Sequence, residues 1–473
     1  MTSTEGPGRL TRIIATIGPA CADMGSIHDL IRAGMNIARL NLSHGTPEDH
    51  RDVFTRIRLA ARESGRQIGI LIDIPGPKLR LRSPSGQALT LRTGDQIILS
   101  STPGTGEVGI QPAEYIPEVR PDDIILLGDG VITLKVITGR ETISAVVTAG
   151  GTVRDGAGVV IPGRRPAIPY ADDHLVSNLR FAAGLEPDFL ALSFVSSPRD
   201  LEDARELLGT AGDIPLIAKI ETGAAVSRFE EILGAADGIM IARGDLGVEL
   251  PIAQVPHVQK RLIRCCNQAG KPVITATEML ESMVEKSRPT RAEVTDVANA
   301  IADGTDGTML SAETSIGKYP ATAVRMMAEI AGETERQLPY RRILREALKW
   351  REETPEGIIG YSACSLAHEL ESRAIVAFTR SGITAERVSR CRPGTPIIAM
   401  TPDEQIARRL LIRRGVIPCI HQPIHTAGEL VSESLALASG MDLTRPGDRI
   451  VIIAGNFAGV KGTTNMIQFE TVP

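Results

Sequence analysis

The chain has 473 residues, which at about 150 residues per domain predicts roughly three domains. Apolar residues make up 42% and charged residues 23%, so a folded globular protein is expected rather than a disordered one. Fifty-two basic against 57 acidic side chains leave a net charge of −5, which argues against nucleic-acid binding by bulk charge.

Aromatics at 3% supply few stacking platforms. No apolar run approaches the ~18 residues of a membrane span, so no membrane partner is expected. The opening MTSTEGPGRL lacks the charged-then-apolar pattern of a leader, and the six cysteines form no CxxC pair. A cytoplasmic protein with reduced thiols is therefore expected.

In chain order, short apolar runs come first. They are Arg12–Thr16, Met35–Leu40, Ile68–Asp73, Asp188–Ser193, Pro215–Ile220, Gly238–Ala242, Pro272–Ala276 and Gly307–Leu310. Most are continuous in Ile, Val and Leu, as parallel strands covered on both faces are. Amphipathic stretches lie between most of them, including Pro47–Glu63, Asp200–Leu208, Val226–Ala235, Val255–Gln268 and Arg291–Ala302. About eight strands alternating with helices predict a closed (β/α)8 barrel, an α/β fold of the TIM type.

The alternation breaks once. From about Pro77 to Ala171 the chain is rich in Gly, Pro, Thr and Val, with short strands at Ala88–Leu91, Gln96–Leu99, Asp123–Leu127, Val131–Ile137 and Thr142–Val147. That predicts a small all-β lid inserted after the third barrel strand. Strands at Ala374–Thr379, Pro396–Thr401, Val416–Ile420 and Arg449–Ile453, separated by helices, predict a C-terminal doubly wound α/β domain. The expected boundaries are 1–76 with 172–340 for the barrel, 77–171 for the lid and 341–473 for the last domain.

A barrel of this type keeps its active site at the C-terminal strand ends. The polar residues expected there are Arg39, Asn41, Ser43 and His44; Asp73, Lys78 and Arg80; Lys219 and Glu221; Arg243, Gly244 and Asp245; Thr277 and Glu278; Ser311 and Glu313. Lys219 and Glu221 are two apart on a strand and so share a face. Asp245 follows the next strand and can approach Glu221. Two carboxylates with room for water and substrate oxygens suit Mg²⁺. The eight His are scattered and no HExxH occurs, so zinc has no obvious site.

Two motifs are set aside. Gly104–Gly109 reads GTGEVG, but it sits in the β-rich insertion with no helix after it, so it lacks the dinucleotide context. Cys265 and Cys266 lie in an amphipathic stretch and read as packing residues.

Long stretches resemble the pyruvate kinase family. They are MNIARLNLSHG (Met35–Gly45), IARGDLGVELP (Ile241–Pro251), KPVITATEMLESM (Lys271–Met283), PTRAEVTDVANAIADGTDGTMLSAET (Pro289–Thr314) and GTTN (Gly462–Asn465). The resemblance spans nearly the whole chain. It implies a barrel, an inserted β lid, a C-terminal α/β domain, and phosphoryl transfer from phosphoenolpyruvate to ADP. It also implies Glu221 and Asp245 as Mg²⁺ ligands, with Mn²⁺ as a substitute. Lys219 would meet the transferring phosphoryl group and Arg39 a phosphate. Gly244, Asp245 and Thr277 would surround the substrate carboxylate, with Thr277 near the carbon that takes up a proton. Asn41, Ser43 and Asp73 would hold a monovalent cation, His44 and Arg80 would face the nucleotide, and Ser311 with Glu313 would support catalysis.

Some positions depart from the family pattern. DIPGPKLR (Asp73–Arg80) stands where DTKGPEIR is usual, so Ile74 replaces Thr and Lys78 replaces Glu. A fixed ammonium at Lys78 is expected to replace the monovalent ion and make activity independent of K⁺. Ala157 falls where a Lys usually lies near the nucleotide, with Arg154 as a substitute; Ile316 and Glu278 are further departures. They motivate an alternative reading with altered nucleotide preference. A silent regulatory paralogue is a third reading, opposed by the retention of Lys219, Glu221, Asp245, Arg39 and Thr277. Thr379, Arg380, Ser381, Gly382 and Thr384 form a strand-to-helix loop suited to a phosphorylated effector, such as a sugar phosphate. A homotetramer is implied by the resemblance alone.

Overall fold

The computed structural model describes residues 9–455 and 464–473, apart from 77, 105, 114, 115, 117, 129, 140, 141 and 165–169. Pro77 at the expected lid boundary, Thr105 of the GTGEVG stretch, and Gly462 and Thr463 of the GTTN stretch lie outside the described residues.

Strands β1 (Arg12–Thr16), β2 (Ile37–Asn41) and β3 (Gly69–Ile74) begin a parallel barrel. After the lid it continues with β13 (Phe189–Leu192), β14 (Leu216–Ile220), β15 (Gly238–Ala242), β16 (Val273–Ala276) and β17 (Gly307–Leu310). The eight strands close in the order β1-β17-β16-β15-β14-β13-β3-β2. Nearly every strand residue is buried, which explains why these runs read as continuous rather than alternating.

Alternation nonetheless decides direction. Ile13, Ala38, Ile70, Leu190 and Ala218 face the helical ring. Ile14, Ile37, Leu71, Ala191 and Ile217 face the barrel axis. Because side chains alternate, the positions two residues beyond those axial ones, at the C-terminal rim, also face inward. These are Thr16, Arg39, Asp73, Ser193 and Lys219, and Glu221 follows in the same register.

Between β3 and β13 lie β4 (Leu79–Arg82), β5 (Leu89–Leu91), β6 (Gln96–Ser100), β7 (Val108–Gln111), β8 (Ile124–Leu127), β9 (Ile132–Gly139), β10 (Thr142–Ala149), β11 (Gly151–Val153) and β12 (Gly158–Val160). Seven of them close a second, smaller barrel in the order β10-β6-β7-β4-β12-β8-β9, and β11 pairs with β5. Leu79 and Leu81 enter its core while Arg80, between them, turns outward to the cleft.

The C-terminal sheet runs β20-β19-β18-β21-β22. Its strands are β18 (Ala374–Phe378), β19 (Ile397–Thr401), β20 (Val416–Ile420), β21 (Arg449–Gly455) and β22 (Thr464–Thr471). Ile375 and Ala377 pack on one face, and Ala374, Val376 and Phe378 on the other, so the sheet is covered on both sides. The antiparallel edge strand β22 is an addition to the sequence expectation. The helix expected over Val226–Ala235 divides into Gly223–Ser227 and Phe229–Ala235, with the break at Arg228.

The C-terminal unit closes the barrel floor. Leu411 and Ile412 join the axial cluster of Ile14, Ile37, Leu71 and Phe189. Around this plug, Arg392 forms a two-pronged pair with Asp306 at 2.6 and 2.7 Å, and Arg408 meets Asp188 at 2.8 Å. Gly415 N donates to Leu10 O at 2.8 Å, and Arg12 donates to the carbonyls of Arg413 and Val416. The floor is thus sealed on the side away from the polar rim.

Candidate active site

A cleft of about 900 Å³ lies between the barrel rim and the lid. Its floor is a row of alternating charge. Arg39 donates through Nε to Asp73 Oδ2 at 2.9 Å and through Nη1 to Thr16 Oγ1 at 2.9 Å. Asp73 Oδ1 accepts from Lys219 Nζ at 3.2 Å and from Ser193 Oγ at 3.3 Å. Lys219 Nζ also donates to Ser193 Oγ at 2.7 Å and pairs with Glu221 Oε1 at 2.9 Å. Glu221 Oε2 accepts from Phe194 N at 2.7 Å. Asp245 lines the same cleft and pairs with Lys78 at 3.5 Å.

Burial makes these charges costly unless they are paired. It opposes ionisation of Asp73, but Lys219 and Arg39 outweigh it and hold the carboxyl below the usual range. Burial likewise opposes the Lys219 ammonium, while Asp73 and Glu221 raise its pKa. Glu221 goes the other way. Burial, against the pull of Lys219 and with the Asp245 charge adding to it, pushes the carboxyl up to about 7. The Lys219 ammonium is shared by two buried carboxylates and Lys78 reaches Asp245 only at 3.5 Å, so the Glu221–Asp245 side of the row is the one left shorter of close positive charge.

That shortage fits a divalent cation. Among the described residues no group of three or more His, Cys, Asp or Glu side chains forms a complete metal cage. Two carboxylate residues facing an open cleft are the donor set expected of Mg²⁺, which keeps waters and takes substrate phosphate oxygens.

The rim continues past β15. Gly244 N donates to Thr277 Oγ1 at 2.8 Å, and that hydroxyl donates to Ala276 O at 2.6 Å. Thr277 and Glu278 have φ of 66° and 52°, two successive non-glycine residues in the left-handed region. Such residues cost about 1–3 kcal/mol each and persist where the surroundings fix them. Ser311 donates its backbone N–H to Glu313 Oε2 at 2.7 Å, and its buried hydroxyl has no protein partner. Glu313 is fully buried and also accepts from Leu280 N at 3.0 Å, tying together the loops after β16 and β17.

Arg39, Lys219, Glu221, Asp245 and Lys78 line one cleft, and Asp73 contacts Arg39 and Lys219 at its floor. Asn41, Ser43, His44 and Arg80 line the same cleft. Lys78 pairs with Asp245 rather than with Asn41, Ser43 or Asp73, whose neighbourhood it was expected to occupy. Ala157 and Arg154 reach the cleft, whereas Ile316 is 63% exposed and lines no part of it. Glu278 is also exposed. Ser193 and Thr16 were not anticipated. Both end barrel strands in the inward register, and that register was the available signal.

The loop at Thr379–Thr384 lies far along the chain, in the C-terminal unit. Thr379 Oγ1 accepts from Gly382 N at 2.9 Å, and the Thr384 and Thr464 hydroxyls are 3.0 Å apart. Gly382 has φ of 89°, while Arg380 and Ser381 are exposed.

The family model described as pyruvate kinase, barrel domain, matches residues 8–324, and that described as pyruvate kinase, alpha/beta domain, matches residues 358–469. The chain belongs to the pyruvate kinase family. The Geobacillus stearothermophilus pyruvate kinase is 41% identical over 472 residues, covering 98% of this chain and 80% of that protein. The Corynebacterium glutamicum pyruvate kinase is 40% identical over 468 residues, covering 97% of each. The Clostridium perfringens pyruvate kinase is 38% identical over 477 residues, covering 98% of this chain and 99% of that protein. The chemistry of the family is transfer of the phosphoryl group of phosphoenolpyruvate to ADP, a glycolytic step that uses a divalent metal such as Mg²⁺.

Proposed function

We propose that the cleft between barrel rim and lid carries out this transfer, with roles for its residues as follows. The observation that carries the reading is the buried Arg39–Asp73–Lys219–Glu221 row ending beside Asp245. Phosphoryl transfer is mostly positioning and neutralisation of charge on the moving group. Lys219 and Arg39 supply fixed positive charge on one side. Asp73 and Ser193 aim the Lys219 ammonium and limit its motion. Glu221 and Asp245 hold Mg²⁺, or Mn²⁺ in its place. When bound, the ion supplies charge to the phosphoryl and enolate oxygens.

Gly244, Asp245 and Thr277 receive the substrate carboxylate, and Thr277 stands near the carbon that is protonated. Ser311, with its unpartnered hydroxyl, and Glu313 support that end of the site. His44 and Arg80 face the nucleotide, and Arg154, lining the same cleft, takes the place of the ammonium missing at Ala157. Asn41, Ser43 and Asp73 occupy the monovalent-cation region. Asp73 is already neutralised by Arg39 and Lys219, and Lys78 adds an ammonium to the cleft. Both features support turnover without K⁺.

The wider reading assigns 1–76 with 172–340 to the catalytic barrel, 77–171 to the lid and 341–473 to a regulatory unit. It also assigns a sugar-phosphate effector to the loop Thr379–Thr384, a homotetrameric assembly and a cytoplasmic location. No helix among the described residues is long and apolar enough to cross a membrane. A coupled assay of pyruvate formation from phosphoenolpyruvate and ADP tests the core of the proposal. Turnover that requires Mg²⁺ or Mn²⁺ supports it; no turnover, or turnover indifferent to chelation, rejects it.

A further inference from the structure

Arg243 is the first residue after β15, and its side chain is buried at 8% exposure. Nη2 donates to Thr277 O at 2.8 Å and to Glu278 O at 2.9 Å, and Nε reaches Thr277 O at 3.3 Å. The other end of the guanidinium is anchored: Nη1 pairs with Asp296 and donates to Gln259 Oε1 at 3.4 Å. Asp296 lies on the helix Arg291–Asp303, and Gln259 on the helix Val255–Ala269. The two carbonyls it holds belong to the residues with left-handed backbone, at φ of 66° and 52°. Two successive left-handed residues are otherwise disfavoured, and they carry both carbonyls to one planar donor fork. The next residue closes the grip, because Gly244 N donates to Thr277 Oγ1 at 2.8 Å.

We propose that Arg243 is a positioning residue that holds the Thr277–Glu278 turn in its strained form and so fixes where the Thr277 hydroxyl stands for proton delivery to the enolate carbon. This inference rests on the role proposed above for Thr277. Arg243 touches no reacting atom. It acts through the turn, and a misplacement of about 1 Å by a change away from the chemistry can cost about 10²-fold in rate. Lysine offers one point charge in place of a planar fork, so it cannot hold both carbonyls and Asp296 together.

The test is a double-mutant cycle with Arg243→Lys, Arg243→Gln, Thr277→Val and the combined variants. Two readouts are taken on each purified full-length protein. One is steady-state kcat and KM. The other is exchange of pyruvate methyl protons with deuterated solvent in the presence of Mg²⁺ and ATP, which reports protonation at that carbon by microscopic reversibility. Arg243→Lys is expected to lower kcat and methyl exchange about tenfold or more, with KM values within about threefold. Arg243→Gln combined with Thr277→Val is expected to be no worse than Thr277→Val alone, because both act through one hydroxyl. Arg243 effects that multiply with those of Thr277→Val, or methyl exchange unchanged in Arg243→Lys, overturn the inference. Unchanged exchange in Thr277→Val overturns the role of Thr277 instead. If Arg243→Gln fails to fold, Arg243→Lys, which keeps a charge for Asp296, decides the matter in the same cycle.

Discussion

Lys219 and Glu221 form a 2.9 Å ion pair between side chains two positions apart on one strand end, both turned to the barrel axis. Burial, with the Asp245 charge adding to it, outweighs this ammonium, which Glu221 shares with Asp73 at 3.2 Å. Glu221→Gln removes one proposed cation ligand while keeping shape. It is expected to raise the Mn²⁺ concentration for half-maximal turnover by more than about tenfold. An unchanged metal titration contradicts the assignment.

Lys78 meets Asp245 at 3.5 Å, so its ammonium adds a fixed positive charge to the cleft. Turnover with K⁺ replaced by tetramethylammonium is expected to stay near its original value. A collapse of the rate shows that the protein needs the small cation after all.

Ile412 seals the barrel floor from the C-terminal unit and is 3% exposed. Ile412→Ala leaves a cavity in the axial cluster that closes the barrel floor, and is expected to destabilise the fold by about 2–5 kcal/mol. Urea unfolding of the wild type and the variant measures it; a shift within ~0.5 kcal/mol, the range of surface substitutions, shows the plug is not packed as described.

Glu293 caps the helix Arg291–Asp303 and also braces the turn that follows β16. Its carboxylate accepts from Ser282 N at 2.7 Å, Ser282 Oγ at 2.6 Å, Thr290 N at 2.6 Å and Thr290 Oγ1 at 2.8 Å. Partial burial opposes ionisation, but these donors win and lower the pKa. A depressed carboxyl stabilises the fold above its unfolded value of about 4.3, and that contribution is lost as pH falls through the lower folded value. Glu293→Ala is expected to cost about 1–2 kcal/mol at neutral pH and to flatten the acid limb of the stability curve. An acid limb identical to that of the wild type contradicts this.

The barrel was legible because eight continuous apolar runs have few other packings. The charged rim was legible because Arg39, Asp73, Lys219 and Glu221 are unusual ends for such runs. Thr16 and Ser193 escaped because a hydroxyl at a strand end looks like any turn residue. Their function follows from the inward register, which appears only when the strands are aligned. Strand β22 escaped because TNMIQFET is a half-exposed edge with polar residues on it. Arg243 was visible beside Gly244 and Asp245, but its partners are backbone carbonyls 34 and 35 positions away, which no side-chain pattern records. The floor plug escaped for the same reason: Leu411 and Ile412 pack against strands that lie hundreds of residues earlier.

In the proposed assignment the Lys219 ammonium serves the moving phosphoryl group while Glu221 and Asp245 serve the cation. Lys219→Met separates the two duties. Mn²⁺ binding by electron paramagnetic resonance and turnover in the coupled assay are measured on the same folded sample. Metal affinity close to wild type, with turnover lowered by about 10²–10³-fold, is the predicted result. Turnover near the wild-type rate in that variant would contradict it.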